Sequence, residues 1–523
     1  MATSNLNSNL RSLVTHHLRF IGPGIIASVA YLDPGNWATD LEAGSTYGYS
    51  HLFVILIATL MAILLQILCT RLGYITGKDL AQLCRLKLYN KSQNTQLWRW
   101  LTLYPLYIIC EIGIIFTDLG ELIGSAMGLK MLIPNLPLWI GVLLTSLDVF
   151  IIIFTFNNYP NSNLNHSNRL FEILIGILVI IVLGSFIILL IKVKPNWIMT
   201  FKGFLPNQNI IQKGGLYQAI GIIGATVMPH ALLLGSKIAI VDRSGRDEEG
   251  EAVDNKPVEE LMVAEGSVLR SPPSQKRVWG TQHSLSSISR HLSHASYDLI
   301  MSLLTLALPV NAAILILASA AFSSEGQTVV VADLFSAHTL LKARLGPASA
   351  HLFALALLLS GQAASITVTM TGQIVSEGFL EWHTRPVVRR LVTRLVGIVP
   401  ATIVAASVGV EGMDKLLVGS QVGLSLVLPF VIGPLLFLTS DQSLMTVQVI
   451  KEEEQFSTNK DSDLPLSAPF HDMGEDENEA LLENRQVSEQ SFANTLPIFL
   501  LTLMVMVIVC AANVYGIFQL SSE

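Results

Sequence analysis

The chain has 523 residues, 51% apolar and only 14% charged, with a net charge of −7 and a mean hydropathy of +0.54. Soluble domains carry nearer a quarter charged residues, so this balance excludes an ordinary globular protein. The acidic net charge also argues against a nucleic-acid partner, and Cys69, Cys84, Cys110 and Cys510, in or near apolar runs, suggest no disulfide framework.

A bilayer crossing needs about 20 mostly apolar residues. Eleven stretches qualify: roughly 20–43, 51–73, 103–126, 134–156, 171–192, 214–240, 297–322, 348–376, 390–410, 415–438 and 495–517. The chain therefore reads as an all-α polytopic membrane protein. Residues 1–19 are polar and read as a cytosolic tail without a cleavable signal peptide, because the apolar run that follows is too long for one.

The first span is interrupted by YLDPGNWATD (31–40), where Asp33 is followed by Pro34, Gly35 and Asn36. Asp33 sits about 13 residues, or ~20 Å of helix, into the span, close to mid-membrane. A carboxylate there is expensive and marks a functional site, and a broken helix survives in lipid only where protein or water lines a cavity. A structural Asp–Arg pair would explain the charge but not the adjacent Pro-Gly.

The second span, containing HLFVILIATLMAILLQILC (51–69), is plainly apolar, whereas the third carries Glu111, Asp118 and Glu121. Spacings of seven and three place these acids on one side of a helix. They read as a proton relay, or as structural partners for Arg389, Arg390 and Arg394 in VVRRLVTR (387–394) of the ninth span. The sixth span reads GIIGATVMPHALLLGS (221–236), with Met228, Pro229 and His230 near its middle. Pro229 frees a carbonyl one turn earlier, around Ala225. His230 offers a group able to exchange a proton near neutral pH.

Two long loops interrupt the pattern. Residues 242–296 are rich in Ser, Glu, Arg and His, and residues 441–493 contain KEEEQ and HDMGEDENEALLENR; both compositions read as disordered. In the second, Glu477 with Leu481 and Leu482 forms an acidic-dileucine pattern that a sorting adaptor would recognise. With the N-terminus cytosolic, inside segments hold 24 of the 32 Lys and Arg residues, the positive-inside bias. The sequons at Asn90 and Asn165 then fall in inside loops and stay unglycosylated, and the C-terminus lies outside. The address is the plasma membrane or an endosomal or vacuolar membrane.

Spans one and six are five apart, and five spans reverse the direction of insertion. Residues 20–192 and 214–438 thus read as inverted five-helix repeats with discontinuous first helices, the second repeat carrying the 242–296 insert, and 495–517 adds an eleventh helix. Matched breaks are the sequence mark of a secondary transporter whose site lies between the repeats. The groups gathered there would be the Asp33 carboxylate, the Asn36 amide oxygen, the Met228 thioether and carbonyls near Ala30 and Ala225. Oxygens suit any divalent cation, but a thioether favours softer transition metals over Mg²⁺ or Ca²⁺. The alternative reading of Met228 is ordinary core packing.

DPGN in the first span and MPH in the sixth resemble the paired signatures of the Nramp divalent-metal transporters, and SGQAASITVTMTGQIVSEGF (360–379) resembles another consensus segment of that family. The likeness covers about residues 20–440. It implies a LeuT-type fold and proton-coupled import of Mn²⁺ or Fe²⁺, with Cd²⁺ as a mimic. It also implies metal ligation by Asp33, Asn36 and Met228, with Ala30 or Ala225 carbonyls completing the shell in different states. The family's acids of helix three and an arginine of helix nine form a polar network leading from the metal; Asp118 and His230 are the first candidates here, with Glu111, Glu121, Arg389 and Arg390 beside them. Gln421 is a further candidate ligand in an occluded state, or else an interhelical hydrogen bonder. Many relatives carry a second histidine five residues after the first, where this chain has Gly235. No enzymatic activity and no resident cofactor are expected.

Three rival functions differ in what they leave unexplained. An intramembrane aspartyl protease needs two facing aspartates and no Pro-Gly break. An amino-acid carrier of the same fold, driven by sodium or protons, has no use for Asp33 and Asn36 facing Met228. A non-transporting metal sensor would usually carry a larger cytosolic signalling domain.

Overall fold

The structure is a computed structural model, and it describes residues 23–89, 95–147, 164–212, 214–240, 285–324, 327–328, 333–381, 386–450 and 487–522. Asn90 and the Glu477, Leu481, Leu482 pattern lie outside the described residues.

The first span is two helices, α1 (Pro23–Val29) and α2 (Pro34–Tyr47), joined through a tight 3₁₀ turn at Ala30–Leu32 and by Asp33. The second is α3 (Leu52–Thr76), followed by the short α4 (Leu80–Tyr89). A π turn at Arg99–Leu103 leads into α5 (Tyr104–Leu132), the acid-bearing third span. Of the fourth span the described helix is α6 (Leu138–Thr145). The fifth, α7 (Leu164–Val193), starts seven residues before the expected boundary at 171, so Asn165 belongs to a helix rather than to a loop.

After α8 (Trp197–Gly203) the sixth span divides into α9 (Gly215–Thr226) and α10 (Pro229–Ile238). The seventh runs as α11 (Leu285–Ser302), a π turn at Leu303–Ala307 and α12 (Leu308–Phe322). The expectation of disorder across 242–296 is therefore corrected at its end, where 285–296 is helical. The periodicity of α11 gives it one apolar face, with Ile288, Leu292 and Leu299 buried, and that face packs on α3. A small ribbon of β1 (Ser323–Ser324) and β2 (Gln327–Thr328) precedes α13 (Leu334–Leu345), α14 (Pro347–Leu380), α15 (Pro386–Ser407) and α16 (Val410–Ser440). The second loop is likewise ordered at both ends: β3 (Thr446–Ile450) pairs antiparallel with β4 (Val487–Ser491) before α17 (Leu496–Ser522).

Packing sorts the side chains in the sense a bilayer demands. Along α7, Ile180, Ile187 and Ile191 are exposed, as are Val507 and Val514 on α17, while Asp33, Asn36, Asp118, Glu121 and His230 are buried. Apolar groups face outward and ionisable ones face inward, the arrangement expected where lipid is the solvent. Trp37 fastens α2 to the scaffold, its ring centroid 4.8 Å from Phe186 of α7 and 5.3 Å from Phe353 of α14. At the far end of the first span, Gly24 N donates to Asp298 Oδ2 of α11 at 2.9 Å and ties α1 down.

A candidate metal-binding site at two helix breaks

Proline sets both breaks. Pro34 and Pro229 have no N–H, so the carbonyls four residues earlier, at Ala30 and Ala225, lose their helical donors. Both residues 30 and 225 are fully buried. Each proline instead starts a new helix at its first position, where a missing N–H costs nothing. The extended residue before each proline is a ligand-type side chain: Asp33 at ψ 140° and Met228 at ψ 130°. Asp33, Asn36 and Met228 are all inaccessible to solvent.

Local hydrogen bonds orient the oxygens. Gly35 N donates to Asp33 Oδ2 at 3.0 Å, an N-cap that steadies α2. No hydrogen bond reaches Asp33 Oδ1 among the described residues, although the Gln421 side chain lies beside it. Asn36 Nδ2 donates to the Tyr31 carbonyl at 3.1 Å, so the amide is held with Oδ1 turned toward the sixth span, where Thr226 Oγ1 donates to it at 3.4 Å. That contact joins the two breaks directly. Ser360 of α14 donates its hydroxyl to the Leu32 carbonyl, satisfying another backbone group released by the break. Gln421 of α16 approaches so closely that a Cβ on residue 35 would overlap its carboxamide, which is why glycine stands between proline and asparagine. Gln421 Oε1 is buried and makes no hydrogen bond.

The two breaks and Gln421 thus present, as candidate donors, one carboxylate, two amide oxygens, a thioether and two carbonyls. No three His, Cys, Asp or Glu side chains cluster among the described residues as a metal site would need on its own. The donor set therefore draws on backbone and neutral side chains, and it carries one formal negative charge. Such a set suits a divalent cation bound reversibly as cargo, and its lone sulfur favours a transition metal.

Beyond the breaks, α5 makes two separate polar contacts, one with α10 and one with α15. His230 Nδ1 lies 3.4 Å from Thr117 Oγ1, whose own proton goes to the Gly113 carbonyl at 2.9 Å. Among the described residues His230 Nε2 makes no hydrogen bond. The next residue, Asp118, accepts from Arg394 of α15, and this ion pair is almost wholly buried. Arg394 is the arginine seen to engage an acid of α5 among the described side chains, and those of Arg389 and Arg390 lie outside the described residues. Glu121 is fully buried one turn beyond Asp118, and Glu111 is half-buried.

Thr226, Thr117, Ser360 and Gln66 were not singled out by sequence. Gln66 is a lone amide in the apolar α3, and its Nε2 donates to Tyr31 Oη at 3.2 Å and to the Ala231 carbonyl at 2.9 Å, tying both broken spans to α3. Its Oε1 occupies the space that a Cβ on residue 235 would take. The Gln66 amide thus fills the space beside Gly235.

Known proteins are similar to this chain over most of its length. The family model of natural resistance-associated macrophage protein-like proteins matches residues 24–457. The manganese transporter SMF1 of Saccharomyces cerevisiae is 36% identical, over 98% of this chain and 87% of its own length. The iron transporter SMF3 of the same yeast is 40% identical over 92% and 95%, and the divalent metal cation transporter MntH of Brucella suis 41% over 82% of each. A crystal structure of the Eremococcus coleocola manganese transporter, in complex with an aromatic bis-isothiourea substituted compound, superposes with a TM-score of 0.71 at 28% identity, covering 97% of this chain and 87% of that one. With helices broken at matched places in two five-helix halves and a family match across most of its length, the chain belongs to the Nramp family of integral membrane transporters.

Proposed function

We propose that this protein imports divalent transition-metal ions, Mn²⁺ and Fe²⁺ with Cd²⁺ as a mimic, together with protons by alternating access. The observation that carries the reading is the contact between the two broken helices, Thr226 Oγ1 donating to Asn36 Oδ1, with Asp33 and Met228 buried at the two breaks. Asp33 supplies charge through Oδ1, Asn36 and the Ala30 or Ala225 carbonyls supply neutral oxygens, and Gln421 closes the shell from α16. Met228 sets selectivity, because a thioether gains little from Ca²⁺ or Mg²⁺.

Metal arrival stabilises the ionised Asp33 carboxylate and displaces any proton it holds. His230, beside Thr117, and the Asp118–Arg394 pair offer the displaced proton a path along α5, with Glu111 and Glu121 as further stations. A negative interior favours inward movement by about 2.3 kcal/mol per charge per 100 mV. The N-terminus is cytosolic in this reading, the protein resides in the plasma membrane or an endosomal or vacuolar membrane, and the Glu477, Leu481, Leu482 pattern recruits a sorting adaptor.

The test is uptake into proteoliposomes under an imposed pH gradient, comparing Mn²⁺, Fe²⁺, Cd²⁺, Mg²⁺ and Ca²⁺. Wild type should take up the transition metals with accompanying acidification. Met228→Ala should keep partial Mn²⁺ flux and lose discrimination against Ca²⁺; unchanged discrimination would remove the thioether from the selectivity filter.

A further inference from the structure

A cleft bounded by α2, α9, α16 and α17 runs down to Gln421, with Thr39, Glu42, Gln218, Ser425 and Asn513 on its walls. Glu42 is the only carboxylate or basic side chain among the residues that line it, and it is exposed. Gln421 also lines the cleft, buried and, among the described residues, with no hydrogen bond to its Oε1, and the same carboxamide lies against Gly35 of the DPGN break. Glu42 follows Asp33 by nine residues, placing it about 13 Å farther along the axis.

The walls are fixed at this level. Gln218 Nε2 donates to the Thr39 carbonyl at 2.7 Å, pinning α9 to α2. Asn513 Nδ2 donates to the Ser425 carbonyl at 2.6 Å and its Oδ1 accepts from the Ser425 hydroxyl, pinning α17 to α16. The polar groups offered are one carboxylate, carboxamides and hydroxyls, with neither a thioether nor a positive charge. Such a set is hard and unselective, and it suits a cation that still holds its water.

We propose that Glu42 is a capture site for hydrated divalent cations, lying on the approach to the metal site; the proposal rests on the transporter reading and deepens it. A carboxylate at the mouth of a cleft with low-dielectric walls raises the local cation concentration without stripping water. Because its donors are oxygens, Ca²⁺ and Mg²⁺ occupy it as readily as Mn²⁺. Selection falls to Met228, deeper in the molecule, so the path recruits first and discriminates second.

Initial rates of Mn²⁺ uptake by the full chain in proteoliposomes, with and without millimolar Ca²⁺, test this on wild type, Glu42→Gln and Glu42→Asp. Glu42→Gln should raise KM about fivefold, as expected for loss of one steering charge, keep the maximal rate within about twofold, and lose the competitive inhibition by Ca²⁺. Glu42→Asp should behave as wild type. An unchanged KM with Ca²⁺ inhibition intact would overturn the proposal, as would a collapse of the maximal rate in Glu42→Gln. A wild-type protein that takes up no metal would instead refute the transporter reading itself.

Discussion

Asp33 divides its carboxylate between two tasks. Oδ2 caps α2 through Gly35 N, and Oδ1 is left for the cargo. Asparagine caps as well as aspartate, whereas alanine forfeits about 1 kcal/mol. Asp33→Asn should therefore abolish metal uptake while leaving thermal stability near wild type, and Asp33→Ala should lose both; thermal unfolding in detergent alongside uptake separates the two. The buried Asp118–Arg394 pair makes a second expectation. Removing one partner strands the other's charge, so Asp118→Asn should cost about 3–5 kcal/mol, while Asp118→Leu with Arg394→Met should recover stability yet not proton-driven uptake. At this scale the breaks at Asp33–Pro34 and at Pro229 were legible because a charge and a missing N–H violate what lipid permits. Thr226 and Thr117 were not, since a hydroxyl in a membrane helix satisfies itself on a nearby carbonyl and leaves no trace in the pattern. Arg394 could not be chosen over Arg390 because one turn separates them, and the rotation of α15 is settled by packing on α5.

Each broken span works through its proline. Replacing Pro229 with alanine restores an N–H opposite the Ala225 carbonyl, which allows α9 and α10 to join. Pro229 sits at the first position of α10, where its missing N–H costs nothing, so Pro229→Ala should leave thermal stability near wild type while lowering uptake, and unchanged uptake would count against the break as a built feature. The contact between α3 and α10 makes a complementary case. Gly235→Ala should push Gln66 from its place, loosen its bonds to Tyr31 and Ala231, and lower transport, whereas Gly235→Ala with Gln66→Ala should relieve the overlap; uptake rates of the two variants check this. The long apolar helices were readable from hydropathy alone. The start of α11 was not, because its polar face of Ser, Arg and His resembles the preceding loop, and only the burial of Ile288 and Leu292 reveals the helix. The β3–β4 ribbon was hidden for a similar reason: its strands are 36 residues apart in sequence and border an acidic tract.

Across the whole molecule, the two broken helices meet at one depth in the helix bundle through the Thr226–Asn36 contact, with apolar side chains turned outward along α7 and α17 and Asp33, Asn36, Asp118, Glu121 and His230 enclosed. The cleft beside Glu42 approaches that depth from one side, while the Gly24–Asp298 bond holds α1 closed against α11. The central claim is that the two breaks grip one metal ion between them, and anomalous scattering from crystals soaked in Mn²⁺ locates such an ion directly. A single strong peak in coordination contact with Asp33 Oδ1, Asn36 Oδ1 and Met228 Sδ is the expected result. A peak bound elsewhere, or none at the breaks under saturating metal, would contradict it.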